Sequence, residues 1–340
     1  MVSFLRRCGS GTIAFSCLLS LLSWCRNAEA QTPDIEAAKK ESTVVVYGTV
    51  PPQSMQINQG LEKKYGIRVD YWRADSTNIL DRALTEWRAG RPGFDLVEGS
   101  RAPQIIMKKE GLFSPYVPPS SEKFPDNFKE KDALMTAWRA LPISILYNTD
   151  LVKPSQAPKT WEDLLDPKWK SNIGIPDPSQ HSTTAAFLLS LRKIIGEKWL
   201  DFAKGLAAQK PHMVSALAPV ADEIVRGEVG VGITYVKYVK QYKGPIDYVL
   251  MDKHLSDPNY MSVGVKAHHP NAAKLYMEYA CSPEGQKAMA EEGEFVLYPG
   301  IHPAIKNAER VAQAMILLDV PTADELKKLT NDFRKIFFGT

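Results

Sequence analysis

Between Ser42 and Arg101 the chain alternates short β-branched runs with amphipathic helical stretches, which narrows the fold to an α/β sheet built from parallel strands. Thr43-Val-Val-Val-Tyr47 is a strand ending at Gly48, and a helix is expected from about Ser54 to Lys64, with Gly66 as its C-cap. Ile67–Tyr71 alternates like a strand. Asn78–Arg88 repeats apolar residues at helical spacing, and Phe94–Val97 reads as a third strand. The second half continues the style. Thr160 with Asp163 forms a helix-opening capping pair, Asn172–Ile175 is a strand, and a helix runs from about Thr183 to Ile195. Val220–Arg226 is helical and Val229–Thr234 a strand. Thr322 with Glu325 opens a terminal helix whose Leu326, Leu329, Phe333 and Phe337 share one face.

The first thirty residues stand apart. Arg6 and Arg7, the apolar run Thr12–Leu22 and Ala28-Glu29-Ala30 have the order of an export signal cleaved after Ala30. A lipoprotein anchor at Cys25 is the weaker alternative, because bulky Trp24 precedes that cysteine. Cleavage removes Cys8, Cys17 and Cys25, leaving Cys281 without a disulfide partner, so stability must come from a large core. The whole chain of 340 residues carries a net charge of +3, and the leader takes Arg6, Arg7, Arg26 and Glu29 with it. The near-neutral remainder gives no support to a nucleic-acid or membrane-surface partner. A soluble protein outside the cytoplasm, with two compact domains, is expected.

In an open α/β sheet, ligands sit beyond the carboxyl ends of the strands. That rule selects Thr49 after the first strand, Arg73 and Ser76 after the second, and Glu98, Ser100 and Arg101 after the third. In the second half it selects Ser179, His181 and Ser182, then Tyr235. Hydroxyls, helix starts and arginines suit capture of an anion or polar solute. Ser182 or Thr183 also serves as the cap of the helix that follows. Adjacent His268-His269 precedes Pro270 in a helix-opening turn, with no second cluster to make a metal site.

Three further stretches are Thr160–Pro178 (TWEDLLDPKWKSNIGIPDP), Ile224–Thr234 (IVRGEVGVGIT) and Val265–Gln286 (VKAHHPNAAKLYMEYACSPEGQ), with Tyr298-Pro299-Gly300 downstream. In this order and spacing the chain resembles a periplasmic solute-binding protein of an ABC importer, in the group that includes ferric-ion binding proteins. The resemblance implies two Rossmann-like α/β lobes joined by a two-strand hinge, with the ligand cleft between them. It places lobe one at residues 31–141 plus 266–340 and lobe two at 142–265, with crossings near Ile143–Asn148 and Tyr260–Val265. It further implies a monomer that closes on a small solute, docks on an inner-membrane permease and uses no cofactor.

The resemblance also raises the question of iron. Ferric ion favours phenolate and carboxylate oxygen, and in ferric-binding relatives an adjacent tyrosine pair follows the Gly-Glu-Val strand. Placed on Gly227-Glu228-Val229, that pair falls at Lys237 and Tyr238, so an ammonium replaces one phenolate. The histidine that many relatives carry after the first strand is replaced by Gly48-Thr49-Val50-Pro51. A metal site is therefore not favoured; if iron binds, its ligands are Tyr235, Tyr238, Glu98 and His181. Tyr242 shares a helix face with Tyr238 and reads as packing.

The chain lacks G-x-S-x-G, H-E-x-x-H and C-x-x-C motifs, which argues against a secreted enzyme. The expected function is solute binding for an ABC transporter, the solute being a small organic anion: phosphorylated, phosphonate-like or a carboxylate. Ferric-iron binding is the alternative, and ligand presentation to a membrane sensor the lower one.

Overall fold

The computed structural model describes residues 31–50 and 55–339. The expected export signal with its cleavage site after Ala30, the cysteines Cys8, Cys17 and Cys25, and Ser54 lie outside the described residues. Twelve strands are described: β1 (Thr43–Gly48), β2 (Arg68–Arg73), β3 (Leu96–Ser100), β4 (Phe113–Ser114), β5 (Thr136–Asn148) and β6 (Ile173–Pro176), followed by β7 (His212–Val214), β8 (Val231–Tyr235), β9 (Ile246–Tyr248), β10 (His254–Gly264), β11 (Phe295–Val296) and β12 (Met315–Leu317).

The first βαβ units form as their periodicity predicts. β1 pairs in parallel with β2 and β3, and the helices Gln56–Tyr65 and Ser76–Arg88 bury Ile57, Leu61, Ile79 and Ala83. Gly66 ends the first of these helices at φ 72°, a left-handed C-cap. A second parallel set, β7-β6-β8, builds the other lobe. Neither sheet is purely parallel, because the long strands β5 and β10 enter antiparallel to their neighbours.

These two strands form the hinge. β5 is buried along its whole length; Thr136–Pro142 pairs with β10, and Ile143–Asn148 pairs with β8 and β9. The change of partner falls at Pro142, and the ladder of β10 shifts register after Pro258, between Asn259 and Tyr260. Proline has no N–H to give a ladder, so it is tolerated where a strand leaves one sheet for another. The crossings therefore lie earlier in both strands than the sequence placed them. Ile143–Asn148 belongs to the second sheet and Tyr260–Val263 to the first.

The cores separate accordingly, with one correction to the expected boundary. The first is built on Val44, Leu96, Trp138, Met261 and Tyr276, and the second on Ile145, Trp161, Ile233 and Leu206. Ile305, Ala308, Val311, Leu318 and Phe333 join the second core, so residues 266–340 do not all return to lobe one. The terminal helix Ala323–Phe338 has the predicted Thr322–Glu325 capping box, and its apolar face packs on helices Ser182–Ser190 and Trp199–Ala208. That stripe needed an apolar partner, and lobe two supplied it.

Thr160 and Asp163 exchange their predicted hydrogen bonds, but they open a single 3-10 turn, Glu162–Leu165. Pro167 follows directly and biases Asp166 away from helical backbone, which stops the turn from growing. His269 opens the helix Pro270–Cys281 and its ring lies 2.8 Å from buried Asp95, consistent with the structural reading of the His-His pair.

Candidate functional site

Between the lobes lies a cleft of about 400 Å³. Thr49, Arg73, Ser76, Ser100, His181, Ser182 and Tyr235, seven of the nine residues expected from the sequence, line it together. They meet there because each ends a strand or starts the helix after one, and the two sheets aim those ends at a common gap.

Four helices begin at this cleft: Ser76–Arg88, Arg101–Lys109, Ser182–Ser190 and Leu217–Arg226. The N–H groups of a helix's first turn have no intrahelical partner. In three of the four, the N-cap residue (Asp75, Ser100 or Ala216) makes no side-chain capping bond. The fourth is capped by His181, whose Nδ1 accepts from the Thr184 N–H at 3.2 Å. This corrects the expectation that Ser182 or Thr183 is the cap. An imidazole nitrogen can do the work of a Ser or Asp oxygen while it stays neutral, and burial holds His181 down at about 4.

The floor is built from charges that the sequence expectation did not include. Arg139, 1% exposed on β5, lies between two carboxylates: Nη2 is 2.8 Å from Glu98 Oε1 and Nη1 is 3.0 Å from Glu294 Oε2. The second approach is a charge contact without an aligned hydrogen, so Nη1, Nε and Glu294 Oε2 keep no hydrogen-bond partner among the described residues. Lys237 Nζ reaches Glu294 Oε1 at 2.7 Å. Burial by itself would raise Glu294, but Lys237 and Arg139 outweigh it and hold the carboxyl at about 2. Burial also works against the Arg139 charge, and Glu294 and Glu98 more than offset it, leaving the guanidinium above its ordinary range. For Lys237 burial wins over Glu294, and the ammonium is shifted downward. Two cations thus face two anions. With no net charge in this quartet, selection by charge falls to the helix starts and to Arg73.

Arg73 stands at the rim, 3.2 Å from Asp75. Both side chains are largely exposed, so the pair is weak and the guanidinium is free to turn to a solute. Asn259, on β10, accepts from Arg139 Nη2 and Thr49 Oγ1 through Oδ1, while its buried Nδ2 has no partner among the described residues. Gly48 is required by close approach, since a Cβ there would collide with the Tyr71 hydroxyl and Glu98.

Two expected residues lie elsewhere. The Arg101 guanidinium is tied to Glu130 at 2.7 Å and sits over the Tyr260 ring, away from the main cleft. Ser179 is buried behind the cleft, its N–H given to Asp177 Oδ1 at 2.8 Å. Each is near enough in sequence to a lining residue to be selected with it, but neighbouring side chains at a strand end point in different directions.

The alternative metal set does not assemble as four free ligands. Glu98 is fully buried and accepts from the Thr49 N–H, the Tyr71 hydroxyl and Arg139, and the His181 Nδ1 lone pair is spent on its cap. Tyr235 and Tyr238 both line the cleft with ring centres 6.0 Å apart, and Lys237 lies over both rings. Burial pushes both phenols well up, Asp257 adding to the effect at Tyr235. Tyr242 packs edge-on against Tyr238 and lies outside the cleft, as its helical spacing suggested.

Of the residues outside the expectation, Arg139 had a readable signal: a lone charge in the apolar run Ala137-Trp-Arg-Ala-Leu141. Asp257-Pro258-Asn259 interrupts β10 in the same way. The lining segment Ser215–Ala218 had none.

Two α/β lobes on a two-strand hinge, with a polar cleft between them, define a solute-binding receptor. The chain belongs to the bacterial extracellular solute-binding protein family, which residues 91–328 match. Its fold is that of the periplasmic binding proteins that serve ABC transporters. An uncharacterized protein of Haemophilus influenzae is 25% identical over 248 residues, 68% of this chain and 70% of that protein. A probable ABC transporter periplasmic-binding protein of Sinorhizobium fredii is 28% identical over 122 residues, 36% of this chain and 34% of that one. Among solved structures, the fold is shared with AfuA of Actinobacillus pleuropneumoniae with fructose-6-phosphate bound (TM-score 0.72, 23% identity, 87% of this chain and 98% of that one). It is shared equally with iron-bound HitA of Pseudomonas aeruginosa (TM-score 0.74, 19% identity, 86% and 99%).

Proposed function

We propose that this protein captures a small anionic organic solute in the periplasm, phosphorylated, phosphonate-like or a carboxylate, and delivers it as a monomer to an ABC permease without chemical turnover. The observation that carries the reading is the convergence of four helix N-termini on one cleft, three of them without a side-chain cap. Each brings free N–H donors and roughly half a positive charge, the arrangement that holds phosphate and carboxylate groups. Arg73 adds a mobile guanidinium at the rim, and Asn259 offers a buried donor below. Closure of the lobes over the solute would exclude water and strengthen these contacts.

The ferric reading has Tyr235 and Tyr238 in its favour and three features against it. Lys237 stands where a second adjacent phenolate is needed, Glu98 is consumed by Arg139, and His181 by its cap. Native mass spectrometry of the exported protein, purified without chelators, separates the two readings. A bound organic mass released on denaturation is the expected result. Bound iron with a visible phenolate charge-transfer band would overturn the anionic reading.

A further inference from the structure

Three hydroxyls of the cleft wall nearest the hinge lean on a single carboxylate oxygen. Asp257, on β10 at the crossing between the lobes, is 5% exposed. Its Oδ2 accepts from Ser100 Oγ at 3.1 Å, from the Tyr235 hydroxyl at 3.2 Å and from Thr183 Oγ1 at 3.4 Å. Ser100 comes from the first lobe, Thr183 and Tyr235 from the second, and all three line the cleft. Asp257 itself stands behind them, on a separate small cavity of about 30 Å³.

A serine, threonine or tyrosine hydroxyl owns one hydrogen. Once that hydrogen is committed to Asp257, the oxygen meets the cleft only as an acceptor. The phenol of Tyr235 stays protonated, since burial and then Asp257 push its ionisation well up, so it remains a donor to the carboxylate. The cleft therefore has two faces of opposite hydrogen-bond polarity. The helix starts and Asn259 Nδ2 donate; the trio held by Asp257 accepts.

We propose that Asp257 is a positioning residue that turns the hinge wall of the cleft into a row of acceptors, so that the cleft selects an anionic group carried on a hydroxyl-bearing, polyol-like body over an equally charged anion with a bare hydrocarbon body. The proposal rests on the anionic-solute reading of the same cleft and narrows it. The anionic group is held at the helix starts, and the hydroxyls of the body donate to Ser100, Thr183 and Tyr235. A hydrocarbon body cannot donate, and lobe closure would leave three oxygens desolvated and unpaired, which is the strongest basis for rejecting a ligand that lacks a hydroxyl.

The test uses matched pairs of phosphate monoesters: fructose 6-phosphate against n-hexyl phosphate, and glycerol 3-phosphate against n-propyl phosphate. Affinities are measured by titration calorimetry at pH 7.5 on the mature chain and on Asp257→Asn. The expected result is a preference of about 100-fold for the polyol member of at least one pair. Asn carries its own N–H donors, which releases hydroxyl hydrogens toward the cleft, so the preference should fall below about 10-fold, the loss falling on the polyol. Ser100→Ala, which removes one acceptor and leaves Asp257 in place, should lower it by about 10-fold and serves if Asp257→Asn does not fold. Equal binding within each pair by the wild type, or an unchanged preference in whichever variant folds, overturns the proposal. If the wild type binds neither member of either pair while native mass spectrometry finds a carboxylate or phosphonate, the polyol assignment fails and the anionic reading survives. Iron in their place removes both.

Discussion

Lys237 Nζ lies 2.7 Å from Glu294 Oε1, a buried ion pair that fastens the segment after β8 to the segment before β11. Removing one partner of a buried pair leaves an uncompensated charge, whereas removing both can be nearly neutral. Lys237→Met should therefore cost about 3 kcal/mol in urea denaturation, near the low end for such pairs because Arg139 still faces Glu294. Adding Glu294→Gln to that variant should restore most of the loss. A double variant no more stable than the single one would show that the pair is not coupled.

Arg73 and Arg101 look alike in sequence, each following a strand, but the structure separates them. Arg73 lines the cleft and its only ion pair among the described residues is the exposed one with Asp75, while Arg101 is held by Glu130 outside it. Arg73→Ala should weaken binding of the identified solute by roughly 5- to 30-fold with an unchanged melting temperature, consistent with loss of one charge-assisted contact. Arg101→Ala should leave affinity within about 2-fold, since an exchange away from the ligand removes no direct contact. Titration calorimetry on both variants decides this, and a larger effect at Arg101 would reverse the assignment.

His254 is fully buried, accepting from the Met251 N–H and facing the Ile143 carbonyl, and burial holds it at about 4 against an ordinary 6.5. Its folded-state value is depressed, so the stability it contributes is complete above about 6.5 and is lost as pH falls toward 4. The loss at pH 5 is about 2 kcal/mol, and His181 acts in the same direction. Asp257 acts in the opposite direction. Burial raises it to about 6, so its cost at neutral pH is relieved on acidification and offsets part of the histidine loss. Urea midpoints between pH 7.5 and 5 should fall less steeply in His254→Gln than in the wild type. Parallel curves would exclude His254 as a source of the acid sensitivity.

Phe333 is completely buried between the terminal helix and lobe two. Phe333→Ala should cost about 3–5 kcal/mol, and Thr322→Ala, which removes the capping box at the other end of the same helix, about 1 kcal/mol. Thermal unfolding measures both. Loss of only a few tenths of a kcal/mol at Phe333 would mean that the helix does not belong to the second core.

What the sequence determined by itself was local and periodic. The first βα units, the Gly66 cap, the terminal capping box and seven of the cleft-lining residues follow from hydrophobic spacing and from the rule that strand ends face the ligand. Tertiary structure decided everything that depends on meeting a distant partner. Arg139 becomes the centre of the floor only because Glu98 and Glu294, remote from it in the chain, are folded against it. The terminal helix joins lobe two because that lobe offers an uncovered apolar face. The hydroxyls of Ser100, Thr183 and Tyr235 become acceptors only where Asp257 collects their hydrogens. Periodicity is written in neighbouring residues, whereas charge pairing and hydrogen-bond direction arise only when separate segments meet with water excluded.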